Sequence, residues 1–324
     1  MPHPRDVLIG AQAAASLLPV CDHYSGVLAR MTKSLQLQAE MTEEFGTCVF
    51  DCTLDCEDGA PVGGEAEHAQ LVAELVQGAS ERARVGARVH PVDHPAFEND
   101  MATIAGRAGQ HLSHIMIPKV ESVDDVDRAE RALLAAYPAG LPLHVLIESP
   151  GAVHRAFEIA AHPRVQSLSF GLMDFVSAHA GAIPADGMGA VGQFSHPLLV
   201  RAKLEIASAA HAAGKVPSHC VVTEFKDETA MRSAARRAAR EFGYTRMWSI
   251  HPSQIRPILE AFAPDERQVD EATRLLLAAE RAEWAPISFD GSLHDRASYR
   301  HFWQVLERAH ATGRVLPAEA ARWF

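Results

Sequence analysis

Short apolar runs recur along the chain. Each ends in polar or charged residues and gives way to a stretch with helical spacing. The runs are Asp6–Gly10, Thr47–Asp55, Arg88–Pro91, His114–Lys119, His144–Glu148, Ser167–Asp174, Val216–Val222 and Arg246–Ile250. They are short, rich in β-branched residues and continuous rather than alternating, as expected of parallel strands covered on both faces. The clearest helix starts at Asp227, a good N-cap, and carries Met231, Ala234, Ala235, Ala238 and Phe242 on one stripe. Gly243 suits its C-cap. Arg232, Arg236, Arg237 and Arg240 fall mostly off that stripe and read as a solvated face. Val123–Ala136 and Pro197–Ala213 have the same character, with Gly214 closing the second.

Eight strands alternating with helices predict an α/β fold of the TIM (β/α)8 barrel type. The alternative is a doubly wound sheet, but no GxGxxG follows the first run, which argues against a dinucleotide site. After Phe262 about sixty residues remain, more than barrel closure requires. Asp270–Arg281 and Ser298–His310 read as helices, with a turn at Asp290-Gly291. The expected division is therefore 1–262 for the barrel and 263–324 for a C-terminal helical extension, which packs on its own barrel or is exchanged between subunits.

Composition narrows the function. The chain has 324 residues, 48% hydrophobic and 22% charged, with a formal net charge of −11. That acidic balance disfavours a nucleic-acid partner. No apolar stretch reaches bilayer length. The apolar opening VLIGAQAAASLLPV has one preceding charge and is interrupted by Gln12 and Ser16, so it reads as part of a strand rather than an export signal. A cytoplasmic protein is expected. Five cysteines include no CxxC pair. Cys48, Cys52 and Cys56 recur every four residues, spanning roughly 13 Å at each step along a strand, too far to share one zinc. They read as packing residues, with Asp51 and Asp55 on the opposite face.

Candidate chemistry gathers where the runs end. Glu148 closes LHVLIESPG and Asp174 closes SLSFGLMDF. A buried charge is kept when it pairs or holds a metal, and two converging carboxylates with room for water suit Mg²⁺. Other run ends supply Asp55, Glu57, Asp58 and Gly59 in LDCEDG, Arg88 in ARVHP, Lys119 in IMIPKVES and His251 in SIHP. In a barrel all of these share one mouth. Arg88 is the natural clamp for a substrate carboxylate, with Glu57 or Asp58 as its internal ion partner. Lys119 admits a different chemistry, a Schiff-base aldolase, if burial lowers its pKa. No GxSxG elbow is present.

The ordered motifs LDCEDG, RVHP, IMIPKVES, LIESPG, FGLMDF, TEFKD, SIHPSQI and FDGSLHD resemble the HpcH/HpaI aldolase and citrate lyase β-subunit family. That family also contains malyl-CoA and citramalyl-CoA lyases. The resemblance runs from about Val49 to Arg308. It implies a TIM barrel, Mg²⁺, a homotrimer or hexamer, and a carbon–carbon lyase acting on a β-hydroxy acid or its CoA thioester. By motif, Glu148 and Asp174 match the metal ligands and Arg88 the substrate-carboxylate arginine. Glu57 and Asp58 match the acidic pair beside the metal. Asp295, in DGSLHD, matches an acid given by a neighbouring subunit in the malyl-CoA lyase branch. The family's opening Arg-Ser-x-Leu-Phe-x-Pro-Gly strand has no counterpart in DVLIGAQAAA, and His90 stands where the family has Asn. These departures bear on CoA binding more than on the metal. An oxo-acid-binding barrel that needs a partner subunit for turnover is the further alternative.

Overall fold

A computed structural model describes residues 3–10 and 18–324. Its contacts divide the chain into two compact units, Pro19–Ala261 and a second in which the N-terminal residues join Phe262–Phe324.

The first unit is a closed barrel of eight parallel strands in sequential order. The strands are β1 (Cys21–Ser25), β2 (Phe50–Asp55), β3 (Val85–Arg88), β4 (Leu112–Ile117), β5 (Leu143–Ile147), β6 (Val165–Phe170), β7 (Val216–His219) and β8 (Arg246–Ser249). β1 closes on β8 through Cys21↔Met247 and Asp22↔Trp248. Helices cover the outside, among them Leu28–Phe45, Glu65–Gln77, Val123–Ala136, Pro197–Ala212 and Glu228–Arg240. The Asp227 side chain caps the last of these by accepting from the Ala230 amide. Leu54, Val85, Ala87, Ile115, Ile117, Val145, Leu168 and Phe170 pack outward against the helices in one core.

The first strand corrects the sequence reading. Asp6–Gly10 is not a strand: Pro4–Leu8 is a short helix, with Pro at its start and His3 accepting from Arg5 N–H. Its place in the barrel belongs to CDHYS, which has no β-branched residue to announce it. The rest of the apolar opening, residues 11–17, lies outside the described residues. Elsewhere the strands begin or end a few residues from the expected bounds. The sixth ends at Phe170, and Asp174 stands in the first turn of the helix Leu172–Ser177.

The barrel's lower interior is polar. Arg246 reaches Asp22 at 2.8 Å and Asp51 at 2.7 Å, and its Nη1 donates to Pro19 O. Arg84 adds a 2.6 Å bond to Asp51. Two cations thus answer two buried acids, which is what keeps charges tolerable there. Above them His114 and His144 stack with ring centroids 3.8 Å apart. Gly86 makes room, since a Cβ there would come within 2.2 Å of His114 Nε2. The two imidazoles and Asp22 offer donor atoms within 4.8 Å of one another. The rings are tilted by only 14°, so their in-plane lone pairs do not converge on one ion, and Arg246 already answers Asp22. This is a packed layer.

In the second unit the helices Glu266–Arg281 and Arg296–Ala311 pack through Leu275, Leu276, Tyr299, Trp303 and Leu306, joined by Leu8. A hairpin of Ile287–Phe289 and Ser292–His294 turns at Asp290-Gly291, both with positive φ, as two-residue hairpin turns require. No described helix is long and apolar enough to cross a membrane.

Candidate active site

The strand ends of the barrel enclose a pocket of about 370 Å³. Glu148, Asp174, Arg88, Asp55 and Asp58 line it, together with Tyr24, Leu146, Phe170, Val221 and Trp248. The parallel barrel places the charged groups together, because each lies at the C-terminal end of its strand or within four residues beyond it.

Glu148 follows β5 and is almost wholly buried. Its Oε1 accepts the Lys119 backbone N–H at 2.6 Å. Burial, and then the charge of Asp174, push its pKa up to about 8. No side-chain cation pairs with it among the described residues. Gly171 faces it, and a Cβ there would fall 2.3 Å from Glu148 Oε2. Two neighbouring carboxylates with no direct ion pair among the described residues, one facing space that only glycine leaves open, fit a hard divalent cation.

Arg88 ends β3 opposite Asp55 of β2. Its Nε and Nη2 donate to the two Asp55 oxygens at 2.7 and 2.5 Å, and Nη1 lies 3.2 Å from Glu57. Burial lowers the guanidinium pKa, but Asp55 outweighs it and drives the value up, so the group stays charged. Asp55 also accepts the amides of Glu57 and Gly59, at 2.9 and 2.8 Å, and so shapes the loop after β2. The sequence reading put Glu57 or Asp58 in this role. Glu57 does pair with Arg88, but the two-pronged partner is Asp55, which the reading did not name and whose side chain points into the barrel in register with Arg88. Asp58 pairs with Lys119, at 3.5 Å.

Lys119 Nζ bonds Glu57 as well. Burial lowers its pKa, but these acids prevail and raise it. A raised pKa keeps the amine protonated, which removes the basis of the Schiff-base alternative. The backbone at Lys119 has φ of +53°, a strained conformation for a non-glycine residue. It aims the amide N–H at Glu148. Nothing in the local sequence signalled that strain.

The structure thus brings together six of the seven expected residues: Glu57, Asp58, Arg88, Lys119, Glu148 and Asp174. Asp295 belongs to the second unit, where it is exposed and caps a helix by accepting from Ala297 and Ser298 N–H. His251 is exposed and caps its own turn. The reading missed Tyr24, because β1 itself was missed, and with it the stacking of Tyr24 on Trp248 at 4.2 Å in the pocket.

Comparison with known proteins places this barrel. The family model for HpcH/HpaI aldolase/citrate lyase matches residues 34–252. A citrate lyase from Burkholderia xenovorans LB400, known by crystal structure, is 48% identical over 100% of both chains, with a TM-score of 0.83. The L-malyl-CoA/beta-methylmalyl-CoA lyase of Cereibacter sphaeroides is 29% identical over 277 residues, covering 79% of this chain and 86% of that protein. The protein CitE of Mycobacterium tuberculosis, crystallised with magnesium, acetoacetate and coenzyme A, shares the fold. It is 22% identical over 90% of this chain and 98% of its own, with a TM-score of 0.65. The chain belongs to the HpcH/HpaI aldolase/citrate lyase family, a family of carbon–carbon lyases, and is an enzyme of that type.

Proposed function

We propose that the protein is a Mg²⁺-dependent lyase that cleaves a β-hydroxy acid, or its CoA thioester, to a 2-oxo acid and an enolate-derived product. The observation that carries this is the placing of Glu148 and Asp174 in one pocket with no direct ion pair among the described residues, beside a fixed Arg88. A bound Mg²⁺ would act there as a Lewis acid on the substrate oxygens. Glu148 and Asp174 would hold it through carboxylate oxygens. Arg88, held by Asp55 and Glu57, would clamp the substrate carboxylate and set the direction in which the carbon–carbon bond breaks. That bond's electron pair leaves with the enolate fragment as the hydroxyl gives up its proton to a base and its carbon becomes the oxo carbon, and the enolate carbon is then protonated. Glu57 and Asp58 hold Lys119 at the rim, where its charge favours an anionic substrate. Acetoacetate and coenzyme A in the mycobacterial protein support the acyl-CoA form of the reading.

The test is release of 2-oxo acid from malyl-, citramalyl- and citryl-CoA and from the free hydroxy acids, with and without Mg²⁺. Release should require the metal, and Glu148→Gln or Asp174→Asn should lower it about a thousandfold or more with the fold intact by circular dichroism. Metal-independent turnover, or full activity in both variants, would overturn the reading.

The proton step is assigned to Asp295, supplied by a neighbouring subunit of a homotrimer or hexamer. Asp and Asn cap helices equally well, so Asp295→Asn removes the acid without removing the cap. Activity should fall about a hundredfold or more at unchanged thermal stability. Undiminished turnover would take Asp295 out of the chemistry.

A further inference from the structure

Lys203 lies on the helix Pro197–Ala212, which packs on β6 and β7, and its side chain is wholly buried. Its Nζ donates to Gln193 Oε1 at 2.7 Å, to His219 Nε2 at 2.6 Å and to Cys220 Sγ at 3.5 Å. It also sits 4.1 Å from the centroid of the Phe194 ring. An ammonium group has three protons to give, and here it meets three acceptors. His219 can accept at Nε2 because its Nδ1 lies 3.0 Å from Cys220 O, which only accepts, so the imidazole proton is on Nδ1. None of these partners carries a charge. Burial, and then Lys203 itself, push the His219 pKa well down, and burial holds the Cys220 thiol protonated. Burial also lowers the Lys203 pKa to about 8, which leaves the amine charged at pH 7. Arg237, which packs on the same Phe194 ring, is matched by Glu241, whereas no acid among the described residues pairs with Lys203.

This unmatched charge stands behind the wall of the active-site pocket. Cys220, which accepts from Nζ, lines that pocket, and so does Phe170, whose ring centroid is 5.8 Å from Nζ. The lining itself is short of positive charge. Asp55, Asp58, Glu148 and Asp174 face Arg88 and Arg30, and Arg88 is already paired with Asp55 and Glu57. A buried charge without a counter-ion is costly to keep. Its field crosses protein rather than water, so it is only weakly screened. We propose that Lys203 is a fixed positive pole behind the β6–β7 wall. It strengthens binding of the anionic oxo acid and favours the negative charge that develops on the enolate fragment. It does so across Cys220 and Phe170, without touching the substrate. The inference rests on the lyase reading above, which supplies the anion. The same charge opposes Mg²⁺, so its removal should act on the two ligands with opposite signs.

The test is calorimetric titration of the full chain at pH 7, first with Mg²⁺ alone and then, in saturating Mg²⁺, with an oxo acid. The oxo acid is whichever of glyoxylate, pyruvate and oxaloacetate the wild type binds most tightly. Two variants remove the charge by different routes. Lys203→Met deletes it at nearly constant volume. Gln193→Glu keeps the lysine and neutralises it with an acid where an acceptor already stands. Each should weaken the oxo acid about fivefold and bind Mg²⁺ at least as tightly as wild type. A purely structural lesion would weaken both ligands together. If the oxo acid binds the variants as it binds wild type, or if Mg²⁺ weakens along with it, the inference is overturned and the lyase reading stands. Should Lys203→Met fail to fold, Gln193→Glu decides the matter alone. If wild type binds none of the three acids in Mg²⁺, the lyase reading itself fails and takes this inference with it.

Discussion

Arg88, the proposed substrate clamp, is fixed by its protein neighbours alone. Its guanidinium is fixed edge-on by Asp55, which is also fastened by two backbone amides. Burial favours the protonated form of Asp55, but Arg88 and those amides hold its pKa below the ordinary carboxylate value. Replacing Asp55 with Asn keeps the shape and leaves the buried Arg88 with a weaker partner. Asp55→Asn should cost about 3 kcal/mol in urea unfolding. It should also lower kcat/KM about a hundredfold by letting the clamp drift. Wild-type stability together with wild-type kinetics would show that Glu57 alone positions the arginine. The motif LDCEDG disclosed that acids gather here. Which of them meets Arg88 follows from strand register, Asp55↔Arg88, and register is a property of the pair of strands.

At the scale of elements, the loops after the strands are set by close backbone approaches. A Cβ on Gly26 would lie 2.2 Å from Gly59 O, so the loops after β1 and β2 touch backbone to backbone. Gly171, at φ −91°, could accept a side chain without backbone strain, yet its Cβ would run into Glu148. Gly171→Ala should therefore leave the circular dichroism unchanged and weaken Mg²⁺ binding by about 10- to 100-fold, measured by titration calorimetry. Unaltered Mg²⁺ affinity would reduce Gly171 to a turn residue. The same scale explains what was legible. β4 and β5 read clearly because their outward faces pack on helices and are rich in Leu, Ile and Val. β1 did not, because Asp22 and Tyr24 face the interior while His23 and Ser25 bond to Ser249 and Ser34 on the other side.

Across the whole barrel, burying imidazoles in the interior makes stability depend on acid. Burial lowers the pKa of His114 to about 3 and of His23 to about 4, and pushes those of His144 and His219 well down. Between these values and the ordinary histidine value near 6.5 the unfolded chain binds more protons than the folded one. Stability is therefore full above about pH 6.5 and is lost as pH falls towards 3. His114 alone should contribute about 2 kcal/mol of loss between pH 6.5 and 5. Urea unfolding of His114→Gln at the two pH values should show a dependence shallower by that amount. An unchanged slope would mean that His114 is hydrated rather than packed.

Periodicity along the chain was enough to specify the barrel. A continuous apolar run can be covered on both faces only in a parallel sheet, and alternation with helices supplies the cover. The same pattern located Glu148, Arg88 and the acidic cluster, because strand ends in such a barrel share one mouth. Other features depended on distances between residues remote in sequence. These are the pairing of Arg88 with Asp55, the protonated and strained Lys119, and the space beside Gly171. Closing the barrel brings β8 beside β1, and only then do Trp248 and Tyr24 stack to form one apolar wall.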